Sequence, residues 1–82
     1  MDFGNALTAM MNGEKVARSG WNGKGMFIFI VPAGWEFMCD IEGVELIPTE
    51  PFVCMKTAQD NLIPWVASQA DMLAIDWEVA AI

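Results

Sequence analysis

The 82-residue sequence has no histidine, no tyrosine and only four basic side chains. Without histidine, the chain lacks the side chain that most often serves as a general acid or base near neutral pH. Its two cysteines, Cys39 and Cys54, stand apart and form no Cys-x-x-Cys pair, so the ligands of a zinc site are missing. We therefore expect two buried free thiols, no metal, no cofactor and no enzymatic activity.

Basic residues are outnumbered by eleven acidic ones, which gives a net charge of −7. This deficit argues against binding to duplex nucleic acid or to an anionic membrane, because both depend on many Lys and Arg contacts. Three of the four cations, Lys15, Arg18 and Lys24, nevertheless lie close together in the sequence. A small anionic ligand therefore remains compatible with the charge.

Apolar residues make up 55% of the chain, and this excludes a disordered protein. The length predicts a single domain over residues 1–82, and so small a domain cannot hide four Trp, five Phe and seven Met. We therefore expect self-association. The uncharged run 25–35 is too short to cross a membrane, and residues 1–5 have no basic signal-peptide region. The expected compartment is the cytosol.

Two helices are predicted. Residues 3–12 carry apolar side chains at helical spacing, with Asp2 as the N-cap and Gly13 as the stop. A shorter helix follows the capping-box spacing of Ser68 and Asp71 and runs through Ala74.

Strand patterns account for most of the remaining chain. The predicted extended segments are 14–18, 26–31, 35–38, 52–57, 62–66 and 76–79, with 35–38 lying in an irregular, acidic stretch over 32–51. Pro64 indicates that 62–66 is an edge strand or an irregular end. The predicted fold class is α+β, with the N-terminal helix packed on a small antiparallel sheet and one helical turn before the last strand.

The segment from Arg18 to Met26 is the best candidate for binding. Its glycines form a turn whose backbone N–H groups can surround an anion, and Arg18 and Lys24 add positive charge. Trp21 offers a face on which a base could stack. A hairpin whose Trp packs in the core is the alternative. The same alternative, burial in the core or in a subunit interface, applies to Trp65 and Trp77.

Two strings carry a family resemblance. They are Arg18-Ser19-Gly20-Trp21-Asn22-Gly23-Lys24-Gly25-Met26 and Pro64-Trp65-Val66-Ala67-Ser68-Gln69-Ala70-Asp71-Met72-Leu73-Ala74-Ile75-Asp76-Trp77, with Met55-Lys56-Thr57-Ala58 between them. In these strings the sequence resembles the second family of Thoeris anti-defence proteins, which are small phage and bacterial proteins. The resemblance covers about two thirds of the chain and leaves residues 32–51 unmatched.

The resemblance implies a sponge, a protein that binds an immune signal and holds it intact. Members of the family bind the glycocyclic ADP-ribose that a bacterial Thoeris TIR enzyme makes from NAD, and some also bind cyclic dinucleotides of the related CBASS defence. It also implies a homotetramer with ligand sites between subunits, acting in the cytoplasm of the infected bacterium. One local basic patch would suffice for such a ligand, which has two phosphates.

The resemblance assigns the binding residues by motif. Trp21 would stack on a base, and Asn22, Gly23, Lys24 and Gly25 would meet phosphate or ribose. Met26, which ends the same string, is a further ligand-binding candidate. Arg18 would orient the loop or pair with phosphate, and Trp65 with the segment through Ser68 and Gln69 would form the other wall. Asp71, Asp76 and Trp77 would read polar groups or support loops, and Lys56 and Thr57 belong to the matched segment.

Two other functions remain open. The protein could inhibit a defence protein by binding it directly through its apolar patches, or it could cleave the nucleotide signal.

Overall fold

The computed structural model describes residues 1–21, 24–35 and 40–80. Within them the chain forms two helices and five strands. In chain order these are α1 (Phe3–Met11), β1 (Val16–Arg18), β2 (Phe27–Val31), β3 (Phe52–Lys56), β4 (Leu62–Pro64), α2 (Gln69–Leu73) and β5 (Trp77–Val79). This order confirms the predicted α+β class, with a helical turn before the last strand.

The five strands form one antiparallel sheet in the order β4-β3-β2-β1-β5. The first four strands follow each other as a meander, and β5 returns to pair with β1. One row of side chains crosses all five strands in register, namely Val79, Val16, Ile28, Met55 and Ile63. Because side chains alternate along a strand, this row marks one face of the sheet.

Helix α1 covers that face. Its N-cap is Asp2, whose Oδ1 accepts a hydrogen bond of 2.8 Å from the Asn5 N–H, as the sequence predicted. The helix ends at Met11, one residue before the predicted end, and Gly13 follows with a φ of +87°. Three of its residues, Ala6, Ala9 and Met10, are buried.

The core lies between α1 and the sheet. It contains Ala6, Ala9, Met10, Val16, Ile28, Met55 and Trp77, with Phe3, Trp21, Met26, Ile30, Val53, Trp65 and Ala74 packed around it. Trp77 at the start of β5 is only 2% exposed, so it belongs to the core. Neither helix of the described chain packs on the opposite face of the sheet, although that face is also largely apolar.

The other predicted elements are close to the observed ones. β1 and β2 begin later than predicted, β4 ends at Pro64, and β5 begins at Trp77. β4 is an edge strand, as Pro64 indicated. The Ser68 capping box is present in full. Cys54 is a buried free thiol, whereas Cys39 lies outside the described residues, as do residues 36–38 of the predicted strand 35–38.

Between β2 and β3 the chain leaves the sheet, and we refer to residues 40–50 as the arm. Thr49 fixes its base, because the Thr49 hydroxyl donates to Pro32 O at 2.9 Å and accepts from the Trp35 N–H at 3.1 Å. Farther out, two turns follow one another, with the Val44 N–H donating to Ile41 O and the Ile47 N–H to Val44 O. Among the described residues, no helix is long and apolar enough to span a bilayer.

The row of side chains that crosses the sheet provides a test of the core. Ile28 is fully buried, whereas Ile63, two strands away in the same row, is 44% exposed. We expect Ile28→Ala to lower the free energy of unfolding by about 2–5 kcal/mol, because it leaves a cavity. Ile63→Ala should cost about 1 kcal/mol, because it removes apolar area that is already half in water. Urea unfolding of both variants measures the difference, and equal losses would contradict this packing.

Candidate functional site

The candidate binding residues converge at one end of the sheet. Arg18 at the end of β1 pairs with Trp77 at the start of β5, and Phe27 at the start of β2 pairs with Lys56 at the end of β3. The glycine-rich loop 19–26, which we call the glycine loop, joins β1 to β2 at this end. The two segments that the motifs singled out are therefore neighbours in the fold.

Arg18 binds two carboxylates that are distant in sequence. Its Nε donates to Asp76 Oδ1 at 2.8 Å, and its Nη1 donates to Asp71 Oδ1 at 3.0 Å. Charge-assisted bonds of this length are among the stronger hydrogen bonds in proteins. The guanidinium is thus matched by two negative charges. Of the two roles predicted for Arg18, these contacts correspond to orienting the loop.

Asp76 extends this network into the glycine loop. Its Oδ2 accepts from the Gly20 N–H at 3.0 Å and from the Ser19 hydroxyl at 3.4 Å, and its carbonyl accepts from the Ser19 N–H at 3.1 Å. The approach is close at Gly20, where an added Cβ would lie 3.1 Å from Asp76 Oδ2. The first residues of the loop are therefore fixed to the residue that precedes β5.

Asp71 performs three tasks at once. One of its oxygens binds Arg18, and the other accepts from the Ser68 N–H and hydroxyl to complete the capping box of α2. Its backbone carbonyl accepts from the Trp77 indole Nε1 at 3.0 Å. Asp71 and Asp76 therefore support the loop and the helix, which is one of the two roles that the sequence left open for them.

The far end of the glycine loop is held from β3. Lys56 Nζ donates to Gly25 O at 2.9 Å and forms an ion pair of 2.6 Å with Asp60. Gly25 has a φ of +74°, which disfavours any residue with a side chain, and a Cβ there would lie 3.1 Å from Lys56 Nζ. The loop is thus anchored at Gly20 and again at Gly25.

Four aromatic rings pack together at the loop, and we call them the aromatic cluster: Phe3, Trp21, Trp65 and Trp77. Trp21 contacts Trp77 and Trp65 edge to face, at centroid distances of 5.4 and 6.4 Å, and Phe3 contacts Trp65 and Trp77. Trp77 lies within the core, whereas Trp21 and Trp65 are half-buried. Trp77 is therefore placed to support the other rings, and Trp21 and Trp65 keep part of their surface at the protein exterior.

The remaining predicted site residues occupy varied surroundings. Lys24 and Gln69 are exposed, Met26 packs against the core, and Ser68 caps α2. The Thr57 hydroxyl accepts from the Asn61 N–H at 3.2 Å and stabilises the turn after β3. Asn22 and Gly23 lie outside the described residues.

The network changes the ionisation of its members. The hydrogen bond from Arg18 is the largest influence on Asp76, and with the Gly20 N–H it holds the pKa of Asp76 below its ordinary value. Partial burial raises the pKa of Asp71, but hydrogen bonds from Ser68 and Arg18 outweigh it and the net pKa is also lowered. Both carboxylates are therefore ionised at neutral pH.

Several neighbours of the site were not singled out from the sequence. Phe3 joins the aromatic cluster, and Asp60 shares the Lys56 ammonium. The helical stripe marked Phe3 as buried, but no local signal pairs Lys56 with Asp60 beyond their spacing of four residues. Among the residues that the structure describes, no group of His, Cys, Asp or Glu could hold a metal ion.

Comparison with known proteins gives two matches. The family model described as the Thoeris anti-defense 2-like domain matches residues 1–80. A protein of Bacillus phage SP01 named Thoeris anti-defense 2 is 38% identical over 85 residues, and the match covers 99% of this chain and 96% of the relative. Both matches extend over the parts of this chain that form the glycine loop, the Arg18 network and the aromatic cluster.

The lowered pKa values predict how stability depends on pH. A carboxyl whose pKa is lower in the folded protein stabilises the fold above its unfolded value, near 3.9, and this contribution is lost as the pH falls through the folded value. We therefore expect Asp76→Asn to lower the melting temperature most above about pH 4. The difference from wild type should shrink at lower pH.

Melting curves between pH 2 and 7 measure this effect, with Asp60→Asn as the control, because Asp60 lies outside the Arg18 network and is 79% exposed. A destabilisation by Asp76→Asn that is the same at every pH would contradict the assigned ion pair.

Proposed function

The chain belongs to the Thoeris anti-defense 2-like family, so its function is phage anti-defence, and we propose that it acts as a sponge for a cyclic nucleotide immune signal. The ligand would be a cyclic ADP-ribose of the glycocyclic type, with cyclic dinucleotides as a second class. The observation that carries this proposal is the glycine loop, which is anchored at Gly20 and Gly25 beside two half-buried indoles.

The loop suits a phosphate-bearing ligand. Anchoring at both ends reduces the ordering that a flexible loop would need on binding, and successive backbone N–H groups in a glycine-rich turn can face an anion. Lys24 is exposed in this loop, and its ammonium would supply the positive charge. Arg18 would act indirectly, because its guanidinium already binds Asp71 and Asp76.

The aromatic cluster suits a base. Trp21 and Trp65 form an edge-to-face pair with exposed surface, and Trp77 holds Trp21 from the core side. A base stacked on an exposed indole gains about 1–3 kcal/mol. Trp21 follows Gly20 directly, so the stacking surface and the phosphate-binding backbone would lie within one short segment.

We propose that the ligand is held intact. The chain has no histidine or tyrosine, so carboxylates are its main candidates for acid–base chemistry. Two carboxylates beside the site, Asp71 and Asp76, are tied to Arg18 and have lowered pKa values. An ionised carboxylate that is already hydrogen-bonded is a poor proton donor and a weak base.

The proposed assembly is a homo-oligomer, a tetramer by family resemblance, that works in the cytoplasm of the infected bacterium where the signal is made. Large apolar side chains are exposed on several surfaces, among them Val66 at 87% and Ile75 at 82%. Apolar patches of this kind mark interaction surfaces. The same patches favour one alternative function, direct inhibition of a defence protein through a protein–protein contact.

Substitutions in the loop distinguish these functions. We expect Trp21→Ala and Lys24→Ala each to abolish retention of the nucleotide, because they remove the stacking surface and the exposed cation. Trp35→Ala serves as the matched control, since Trp35 is half exposed and lies outside the loop. Melting curves of each variant check that the fold persists.

Retention is measured by incubating the protein with the products of a Thoeris TIR enzyme or with cyclic dinucleotides. Free ligand is then removed, and the protein is denatured for mass spectrometry. Intact cyclic nucleotide from wild type and Trp35→Ala, but not from the loop variants, is the expected result. A degraded product would indicate an enzyme. Inhibition of the defence that survives both loop substitutions would favour a protein partner.

A further inference from the structure

The arm exposes several large apolar side chains. Ile41 is 62% exposed, Leu46 is 76% exposed and Ile47 is 57% exposed, so these side chains do not pack on their own sheet. The arm also carries four carboxylates, from Asp40, Glu42, Glu45 and Glu50, and no basic residue. It is therefore an acidic and apolar segment that its own chain leaves uncovered.

A groove that opens beside the C-terminal end of α1 and the sheet has the complementary chemistry. It has a volume of about 290 Å³, is lined by Met10 and Ile30 from the core side and, among others, by Lys15, Phe27, Phe29 and Leu62, and we call it the sheet groove. Lys15 Nζ lies 5.2 Å from the Phe27 ring centroid, and Lys56 Nζ lies 5.7 Å from it. The groove is thus an apolar surface flanked by two ammonium groups.

Two carboxylates of the described chain also lie near the sheet groove, and a carboxylate of the arm would share its ammonium groups with them. Glu14 lines the groove, and Asp60 pairs with Lys56. The Asp60 side chain is 79% exposed, and surface pairs of this kind contribute only about 0–1 kcal/mol, so a carboxylate of the arm could share the ammonium.

The other two cations are poorer partners for the arm. Arg18 is matched by Asp71 and Asp76, and Lys24 lies in the glycine loop. Among the residues that the structure describes, the sheet groove is therefore the surface that best combines apolar side chains with positive charge.

We propose that the arm of one copy of the chain packs into the sheet groove of a second copy. This inference rests on the self-association included in the proposed function, and it names the surfaces that meet. Reciprocal exchange about a two-fold axis fills both grooves with both arms and so doubles the buried area. Carboxylates at 42 and 45 then lie near the ammonium groups beside Phe27, and Leu46 enters the apolar groove.

Charge reversal tests the pairing. We expect Lys15→Glu alone, and Glu42→Lys with Glu45→Lys, each to weaken association by about tenfold or more, because like charges then meet. Combining all three substitutions should restore association to within about threefold of wild type, as coupled sites do in a double-mutant cycle. Sedimentation equilibrium with light scattering measures the dissociation constants.

A matched pair of leucines tests the apolar part. Leu46 in the arm and Leu73 in α2 are 76% and 80% exposed, so Asp at either position should leave the folded monomer intact. Leu46→Asp should dissociate the assembly, and Leu73→Asp should not. The reverse pattern would overturn the proposal, as would a wild-type protein that stays monomeric at its highest soluble concentration.

Further outcomes distinguish the exchange of arms from packing within one chain and from the sponge function. If Glu42→Lys with Glu45→Lys changes the melting temperature of the monomer itself, the arm packs on its own sheet and the exchange between copies is wrong. If association follows the predicted pattern but wild type retains no cyclic nucleotide, the sponge function fails while the arm exchange stands. Nucleotide retention without rescue by the combined reversal overturns the arm exchange alone.

Discussion

The guanidinium of Arg18 connects three segments of this chain that are far apart in sequence. It joins the end of β1 to Asp71 in α2 and to Asp76 before β5, across separations of 53 and 58 residues. Asp76 also accepts a hydrogen bond from the Gly20 N–H, and the Asp71 carbonyl accepts one from the Trp77 indole. The glycine loop, the α2 cap and the aromatic cluster therefore share one electrostatic centre.

The two faces of the sheet have different surroundings. On one face, α1 and the row through Val16, Ile28 and Met55 form the core. On the other, Phe27 and Phe29 lie under no helix of the described chain, beside two of the four cations. This division accounts for the apolar surplus in the composition. It also shows how a chain of net charge −7 keeps local positive charge, since its basic groups gather around two strands and one loop.

Local patterns in the sequence were sufficient to predict the helices and strands. They were insufficient to predict the hydrogen-bond partners of Arg18. The stripe over 3–12, the Asp2 cap and the Ser68 capping box each depend on residues within one or two turns, and the structure contains all three. The partners of Arg18 depend on the closure of the whole sheet, so no spacing could identify them. Trp77 illustrates the same limit, because alternation placed it in a strand without showing that it is buried.

The Arg18 network also links the support of the loop to the proposed chemistry. Asp71 and Asp76 hold the loop because they are ionised, and their lowered pKa values keep them so at neutral pH. A carboxylate that is ionised and already hydrogen-bonded is a poor proton donor and a weak base. A loop fixed in this way would lose little entropy on binding. These contacts are therefore a physical basis for proposing that a nucleotide is held rather than converted.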